Sequence, residues 1–360
     1  MTSFVIDSKV ILSEEKSQTP YNIQTMQNSR FEKSFAWKIL CFLSASVGIL
    51  TVAGFLGRFW WAFDLACHFR VQYFWILMLS AILFTFWEKW VACILVTIFA
   101  LINAIVFIPY LTIVKPIQVD SPKIRVLAIN LDFKNSSHER TVSFINKSQP
   151  ELLILEELTE GWEDGLRETL AKFPYFARVR YSDVYSTEKD IMKSFRDTWE
   201  KHKLSIGLFS KLPFESEKLG HLEAYAMPYV MAQFKFNEKP FTLFGTHLMS
   251  PIGNAPSKVR NKQIDALIQQ IQTINQPTVL LGDLNMTPWS PFFQDLIQKT
   301  GLKETRKKLG IYPTWPTGHV SMQIPIDHSL TSKGIMVHSF RLGPDIGSDH
   351  FPLILDFSPI

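Results

Sequence analysis

Two short segments carry the residue types that hydrolysis of a phosphate ester needs. Gly282-Asp283-Leu284-Asn285 closes an apolar run, and Gly347-Ser348-Asp349-His350-Phe351-Pro352 stands near the C-terminal end. A carboxylate can position or deprotonate water, an imidazolium can neutralise charge building on phosphate, and an amide can hold both substrate and water. With a metal ion, these are the parts of a hydrolytic site. Gly-Asp-x-Asn alone is most often a turn with an Asx cap. The weight therefore rests on which other residues accompany it, and in what order.

One arrangement recurs along the chain: an apolar run, then a polar residue at its end. In order, the ends supply Asn130 and Asp132, Glu157, His247, Asp283 and Asn285, Asp327, then Asp349 and His350. The runs Ile124–Asn130, Leu152–Leu155, Ser205–Ser210, Phe241–His247 and Thr278–Asp283 are flanked by turn residues and read as strands buried on both faces. Helical patterns lie between them, at His138–Lys147 and Ser257–Ile274. Alternating strands and helices argue an α/β fold with helices covering sheets, and strand ends are where a rigid scaffold presents reactive groups. Taken alone, Glu156 and Glu157 could open a solvated helix, Arg306-Lys307-Lys308 reads as a solvated turn, and His138, His202, His221, His319 and His338 read as surface or satisfied histidines.

The ordered set resembles the endonuclease/exonuclease/phosphatase superfamily over about residues 123–357. That resemblance implies a deoxyribonuclease I-like four-layer α/β sandwich, two mixed β-sheets flanked by helices. Asn130-Leu131-Asp132 is similar to the family's first Asn motif, which helps hold the metal. Leu152-Leu153-Ile154-Leu155-Glu156-Glu157 is similar to a strand that usually ends Gln-Glu, which gives Glu157 the main ligand role and puts Glu156 where Gln is usual. Thr246-His247-Leu248 matches a strand end whose His faces phosphate. Arg260 and Gln263 match a supporting Arg-x-x-Gln pattern, Ile326-Asp327-His328 an Ile-Asp-Tyr segment, and Ser348-Asp349-His350 the closing Ser-Asp-His. The cofactor implied is Mg²⁺, with Mn²⁺ as a substitute, because sparse oxygen ligands suit a hard cation that keeps several waters. On this reading Asp283 is the candidate base, Asn285 donates to phosphate, Asp349 favours the imidazolium of His350, and His247 is a second phosphate contact or the leaving-group acid. Pro325 replaces an Arg common before the Ile-Asp motif. Tyr181 and Tyr185 lie where some members carry a catalytic Tyr, without a motif to anchor either.

Those elements must be carried on something, and the composition says what. Hydrophobic residues make up 47% of 360 residues, and the excess lies between Trp37 and Val114. No charge occurs in Ile39–Gly57, Val71–Trp87 or Trp90–Val114, runs that approach or exceed the roughly 17–25 residues of a membrane span. The expected organisation is a polar tail over 1–35, a three-helix transmembrane region over 36–115 with spans at about 36–56, 71–87 and 90–114, and a catalytic domain over 120–360. This front end resembles bacterial membrane-anchored members of the superfamily. Between the first two spans, the aromatic-rich stretch from Gly57 to Arg70 suits a short helix at the lipid–water boundary. Pro116–Pro122 reads as a linker, and the charged segment Asp183–Lys203 as an inserted helix or lid.

Lys9, Lys16, Arg30, Lys33, Lys38 and Lys89 favour a cytoplasmic N-terminus. Three spans then put the catalytic domain outside, periplasmic or extracellular, on a bacterial inner or plasma membrane. Residues 120–360 hold 28 Lys+Arg against 27 Asp+Glu, so the domain lacks a bulk basic signature for nucleic acid. Cys41, Cys67 and Cys93 all lie in the membrane part, which excludes a thiolate nucleophile in the catalytic domain. The expected activity is hydrolysis of a phosphodiester or phosphomonoester by in-line attack of water. The expected partners are a phosphate-ester substrate (nucleic acid or lipid headgroup) and the lipid bilayer, with no protein partner inferred. The alternative is a non-catalytic binding module displayed on a membrane.

Overall fold

A computed structural model of the chain describes residues 19–111, 122–181, 193–222 and 227–360. The expected linker falls almost wholly outside these residues, as do the first half of the expected tail, Tyr185 and the start of the charged segment.

The β-rich runs pair into two six-stranded sheets. The strands are β1 (Ile124–Asn130), β2 (Leu152–Leu158), β3 (Tyr175–Arg180), β4 (Ser205–Ser210), β5 (Ser216–Leu222), β6 (Met227–Phe236), β7 (Lys239–Thr246), β8 (Thr278–Asp283), β9 (Lys303–Glu304), β10 (Asp327–Thr331), β11 (Ile335–Leu342) and β12 (Leu353–Pro359). One sheet runs β11-β12-β1-β2-β4-β3, the other β5-β6-β7-β8-β10-β9. Each is mixed: β1 and β2 are parallel, as are β7 and β8, and the other pairs are antiparallel. Side chains alternate across a strand, and both faces of β2 are used. Leu152 and Ile154 join the core between the sheets, while Leu153 and Leu155 face an outer helical layer. That layer is α5 (His138–Ser148) and α6 (Glu160–Leu170), through Phe144, Trp162 and Leu166. Leu267, Phe293 and Leu296, of α8 (Asn254–Gln272) and α9 (Pro291–Thr300), cover the other sheet over Phe244 and Leu280. Helix, sheet, sheet and helix make the four layers expected.

Strand register brings the polar ends together. Asn130 pairs with Glu156 across the parallel β1–β2 ladder, and Asp327 lies opposite Asp283 across the antiparallel β10–β8 ladder. The second sheet meets the first through Gly282, whose φ is +141°. A Cβ there would collide with the Thr246 carbonyl oxygen and sit 3.2 Å from Glu156 Oε1, so only glycine lets β7, β8 and β2 converge. Both Glu156 and Glu157 belong to β2; neither opens a helix.

The N-terminal region is helical: α1 (Thr19–Ala53), α2 (Trp61–Cys67), α3 (Arg70–Phe86) and α4 (Trp90–Leu111). The second half of the expected tail is part of α1, which begins at Thr19. Phe35–Leu56 and Trp90–Leu111 are long and apolar enough to cross a membrane; α3 has 17 residues and reaches that length only together with α2, from which it is bent by 67°. The region therefore offers two or three spans, not plainly three. Phe42, Ile49, Trp75, Leu79, Phe86, Val91 and Ile105 point outward, while the small residues Ala81, Ala100 and Ala104 lie buried between helices, the distribution expected of helices packed in lipid.

Candidate active site

Asp283 ends β8, buried, where the two sheets meet. Its backbone N–H donates to Glu156 Oε2 (3.1 Å). Its carboxylate accepts from the backbone N–H of Asn285 (2.7 Å) and from Asn285 Nδ2 (3.1 Å). Asn285 Nδ2 also donates to the Leu248 carbonyl (2.9 Å). Both amide hydrogens of Asn285 are thus spent on the protein, so in this arrangement Asn285 orients Asp283, where the sequence suggested a donor to phosphate. Burial raises the Asp283 pKa well above the usual carboxylate range, and repulsion from Asp327 adds to it against the attraction of His350.

His350 is held by Asp327, not by its neighbour in sequence. Its Nδ1 lies 2.9 and 3.1 Å from the two carboxylate oxygens of Asp327. Asp349 approaches only Nε2, at 3.8 Å, is about half exposed, and accepts a hydrogen bond from Trp315 Nε1 (2.9 Å). Adjacent residues diverge here because the backbone N–H of His350 turns onto Ser348 Oγ, which itself donates to the Asn130 carbonyl. Burial lowers the His350 pKa, but the charge and hydrogen bond of Asp327, with Asp283 and Asp349 beyond, outweigh it, and the net shift is well upward. Asp327 is lowered in turn: burial opposes its ionisation, and His350 overcomes that. The pair is an imidazolium–carboxylate whose free Nε2 faces Asp283 Oδ2 at 3.8 Å.

His247 completes this face. Tyr181 Oη lies 3.0 Å from Nδ1, and His247 Nε2 is 3.5 Å from Asp283 Oδ2. With Tyr181 Oη on Nδ1, Nε2 is the ring nitrogen left facing Asp283. Burial, with His350 nearby, lowers the His247 pKa to about 3. A neutral ring can donate a hydrogen bond to phosphate; it is not an imidazolium acid near neutrality.

On the first sheet, Asp132, Glu157 and (from the second) Asn285 all have positive φ, near +50°, the sparsely populated backbone that collects at functional sites. Glu157 Oε2 accepts from the Phe133 backbone N–H (3.1 Å), and Asn130 Oδ1 accepts from that of Asp132 (3.1 Å). Burial raises the pKa of Glu157, with Asp349 and Asp132 adding repulsion, and raises that of Asp132. Ligand atoms of Asp283, Asp327 and His350 also lie within 4.8 Å of one another, but there Asp327 and His350 compensate each other. Glu157, Asp132 and Asp349 lie close enough to oppose one another's ionisation, and their carboxylate oxygens are donors of the kind that suits a hard divalent cation. Mg²⁺ at a hundred times its Kd should then stabilise the full chain by about 2.7 kcal/mol. A thermal melt in lipid nanodiscs should rise by several degrees on adding Mg²⁺, and Glu157→Gln should remove most of that rise; an unchanged melt would contradict the fit.

Several residues fall elsewhere than their motifs suggest. Arg260 is fully buried outside the carboxylate cluster, ion-paired with Asp64 of α2, and its Nη1 reaches the Asn285 carbonyl at 3.4 Å. Gln263 Oε1 accepts from the Met249 backbone. Lys307 and Lys308 lie exposed on a turn, but Arg306 of the same turn is fully buried, pairs with Glu304 (2.8 Å), and donates to the carbonyls of Asp327, Ile311 and Tyr312. It braces the strand end that carries Asp327. Of the charged segment, α7 (Lys193–His202) is helical and sets Trp199 edge-on against Tyr181. Glu156, with burial and the charges of Asp283 and Asp327 raising its pKa, is a site carboxyl that the usual Gln had hidden.

The sequence pattern of the Endonuclease/Exonuclease/phosphatase family matches residues 127–350. No match was found among curated proteins. Among solved structures, the chain is similar to the endonuclease/exonuclease/phosphatase from Bacteroides vulgatus (17% identity, TM-score 0.54, covering 67% of this chain and all of that one). It is also similar to the human Nocturnin catalytic domain with bound sulfate (20%, 0.51, 66% and 94%). A third is D. rerio TDP2 in complex with a single-strand DNA product (16%, 0.50, 66% and 100%). At these identities the likeness shows the fold.

Proposed function

Because the chain belongs to the endonuclease/exonuclease/phosphatase family, whose hydrolases act on phosphate esters, we propose that it is a membrane-anchored, Mg²⁺-dependent phosphodiesterase, with Mn²⁺ able to substitute. One observation carries this: Asp283, His350 Nε2 and His247 Nε2 converge within 3.5–3.8 Å at the joined end of both sheets. Glu157, Asp132 and Asn130 would hold the metal, which when bound supplies Lewis-acid polarisation of a phosphoryl oxygen. Asp283, made more basic by burial and Asp327, takes a proton from water. The water oxygen bonds to phosphorus, the ester P–O bond breaks, the leaving oxygen takes a proton from solvent and departs as the alcohol, and Asp283 gives up to solvent the proton it took. The His350 imidazolium and the neutral N–H of His247 donate to the phosphoryl oxygens as charge builds.

The anchor is read as three antiparallel spans with a cytoplasmic N-terminus and the catalytic domain outside. In support, Lys89 at the α3–α4 turn lies over Trp37 of α1, at one end of the bundle. At the other end, Arg58 pairs with Asp295 and Tyr110 meets Trp289 edge-on. A 17-residue α3 is about 25 Å long, close to the roughly 30 Å of a hydrocarbon core.

The substrate chemistry is a phosphodiester, and one loop favours a lipid headgroup over nucleic acid. The loop begins at Trp315, bonded to Asp349, and reaches Gln323, whose carbonyl accepts from Gln72 near the start of α3 (2.9 Å). Between them Val320 and Met322 are exposed, 82% and 50%. An exposed apolar tip running from the site to the outer end of a membrane helix fits insertion among headgroups. The full chain should be assayed on phosphatidylethanolamine–phosphatidylglycerol vesicles, a single-stranded oligonucleotide and soluble bis(p-nitrophenyl) phosphate. Val320→Asp with Met322→Asp should slow vesicle hydrolysis about tenfold or more, since each buried apolar side chain contributes roughly 1.5 kcal/mol, and should spare the soluble diester. Oligonucleotide cleavage outrunning lipid, untouched by the pair, would favour the nuclease reading.

A further inference from the structure

The joint between the membrane region and the catalytic domain is polar and buried, and it closes on the active-site loop. Asp64 of α2 pairs with Arg260, the two side chains being 1% and 0% exposed. Its other carboxylate oxygen accepts from Ser290 Oγ (2.9 Å), the residue that also caps α9. His68 Nδ1 lies 2.9 Å from Thr287 Oγ1, and Trp289 Nε1 donates to the His68 carbonyl (3.1 Å). Of the catalytic-domain partners named for Asp64 and His68, Ser290, Thr287 and Trp289 belong to the segment 285–290 that follows Asp283, and Arg260 itself reaches the carbonyl of Asn285. The elbow is fixed from behind. Arg70 Nη1 donates to the Thr51 carbonyl (2.7 Å) and approaches Asn103 Oδ1 (3.2 Å), and Asn103 Nδ2 donates to Thr51 Oγ1 (2.8 Å), which ties α1, α3 and α4 together.

Asp64, Cys67 and His68 bring ligand atoms within 4.8 Å of one another, which invites a metal. Both Asp64 oxygens are already taken by Arg260 and Ser290, and His68 Nδ1 by Thr287. The cluster is a joint between two parts of the chain.

We propose that Asp64 is a positioning residue for the phosphodiesterase reading: through Arg260 and Ser290 it holds the 285–290 loop, so that Asn285 presents the Asp283 carboxylate correctly. The membrane region is then part of the catalytic apparatus as well as a tether. Without Asp64, Arg260 is a buried cation lacking its counter-ion, an arrangement that a protein relieves by moving the loop or admitting water. A displacement of about 1 Å at a reacting group can cost roughly 100-fold in rate.

The test uses the full chain in lipid nanodiscs, with Asp64→Asn, Asp64→Glu and the parent, assayed on bis(p-nitrophenyl) phosphate and by hydrogen exchange. Asp64→Asn keeps the shape and removes the charge. We expect kcat to fall roughly 10- to 100-fold with KM little changed, exchange in residues 285–290 to rise while β1 and β2 keep their protection, and Asp64→Glu to recover much of both. Unchanged kcat and exchange in Asp64→Asn would overturn the proposal. So would an Asp64→Asn deficit spread over the whole chain that Asp64→Glu does not repair. Should the parent hydrolyse no diester, the phosphodiesterase reading fails by itself, and the exchange at 285–290 still decides whether Asp64 holds the loop.

Discussion

Asp283→Asn should lower kcat on a simple phosphodiester by about 10³-fold, within the roughly 10²–10⁴-fold that a positioned general base contributes, while leaving the fold intact. Asparagine preserves the shape of the side chain and the backbone N–H bond to Glu156. It removes the carboxylate on which the Asn285 amide, His247 Nε2 and His350 Nε2 converge. The melting temperature should hold or rise, because a buried carboxyl repelled by Asp327 and Glu156 is replaced by a neutral amide. Steady-state kinetics beside a thermal melt checks both halves. A variant within threefold of the parent rate would remove Asp283 from the chemistry.

Asp327→Asn should produce the second large effect, and it carries a signature in pH. The His350 pKa is held well above its ordinary value by Asp327, against the opposing effect of burial. Catalysis that needs the imidazolium is present below that pKa and lost as pH rises through it. Removing the Asp327 charge lowers the His350 pKa, so the alkaline loss of activity should move down toward neutral pH, with kcat near neutrality falling by roughly 100-fold. Asp349→Asn, at a half-exposed carboxylate touching only Nε2 at 3.8 Å, should leave the alkaline limb nearly in place. A pH–rate profile of kcat for the two variants separates them; the reverse order would mean that the neighbour in sequence sets the charge of His350.

That contrast shows what the sequence could and could not disclose. Strand-end residues were legible because they follow local patterns: an apolar run, a turn, a polar residue. Asn130, Glu157, His247 and Asp283 follow that pattern; Asp327 opens β10 and His350 lies in the turn before β12, and both were legible only through the motifs they resemble. Pairing across the site was not legible, because it depends on register between strands far apart in sequence. Asp349 lies beside His350 in the chain, yet Asp327, 23 residues upstream, makes the bond. Arg306 looked like part of a basic surface turn and proved to be a buried brace for Asp327, since a charge run does not reveal which of its members turns inward. Arg260 was found through its motif, but its counter-ion Asp64 is 196 residues away, in a stretch read as an interfacial helix. The apolar helices were visible by composition. That α3 is short and bent against α2 by 67° goes with the docking of α2 on the catalytic domain, a tertiary contact that hydropathy does not encode.

On the proposed function, the cluster around Asp283 and His350 hydrolyses phosphodiesters with a divalent metal. The most direct test is nitrophenolate release from bis(p-nitrophenyl) phosphate by the purified full chain in nanodiscs, with Mg²⁺, with EDTA, and with Asp283→Asn. Turnover is expected with Mg²⁺, with its loss in EDTA, its recovery on adding the metal back, and a loss of about 10³-fold in the variant. Release that survives EDTA and Asp283→Asn, or no release from a folded chain whose melt shows Mg²⁺ bound, would contradict the proposed function.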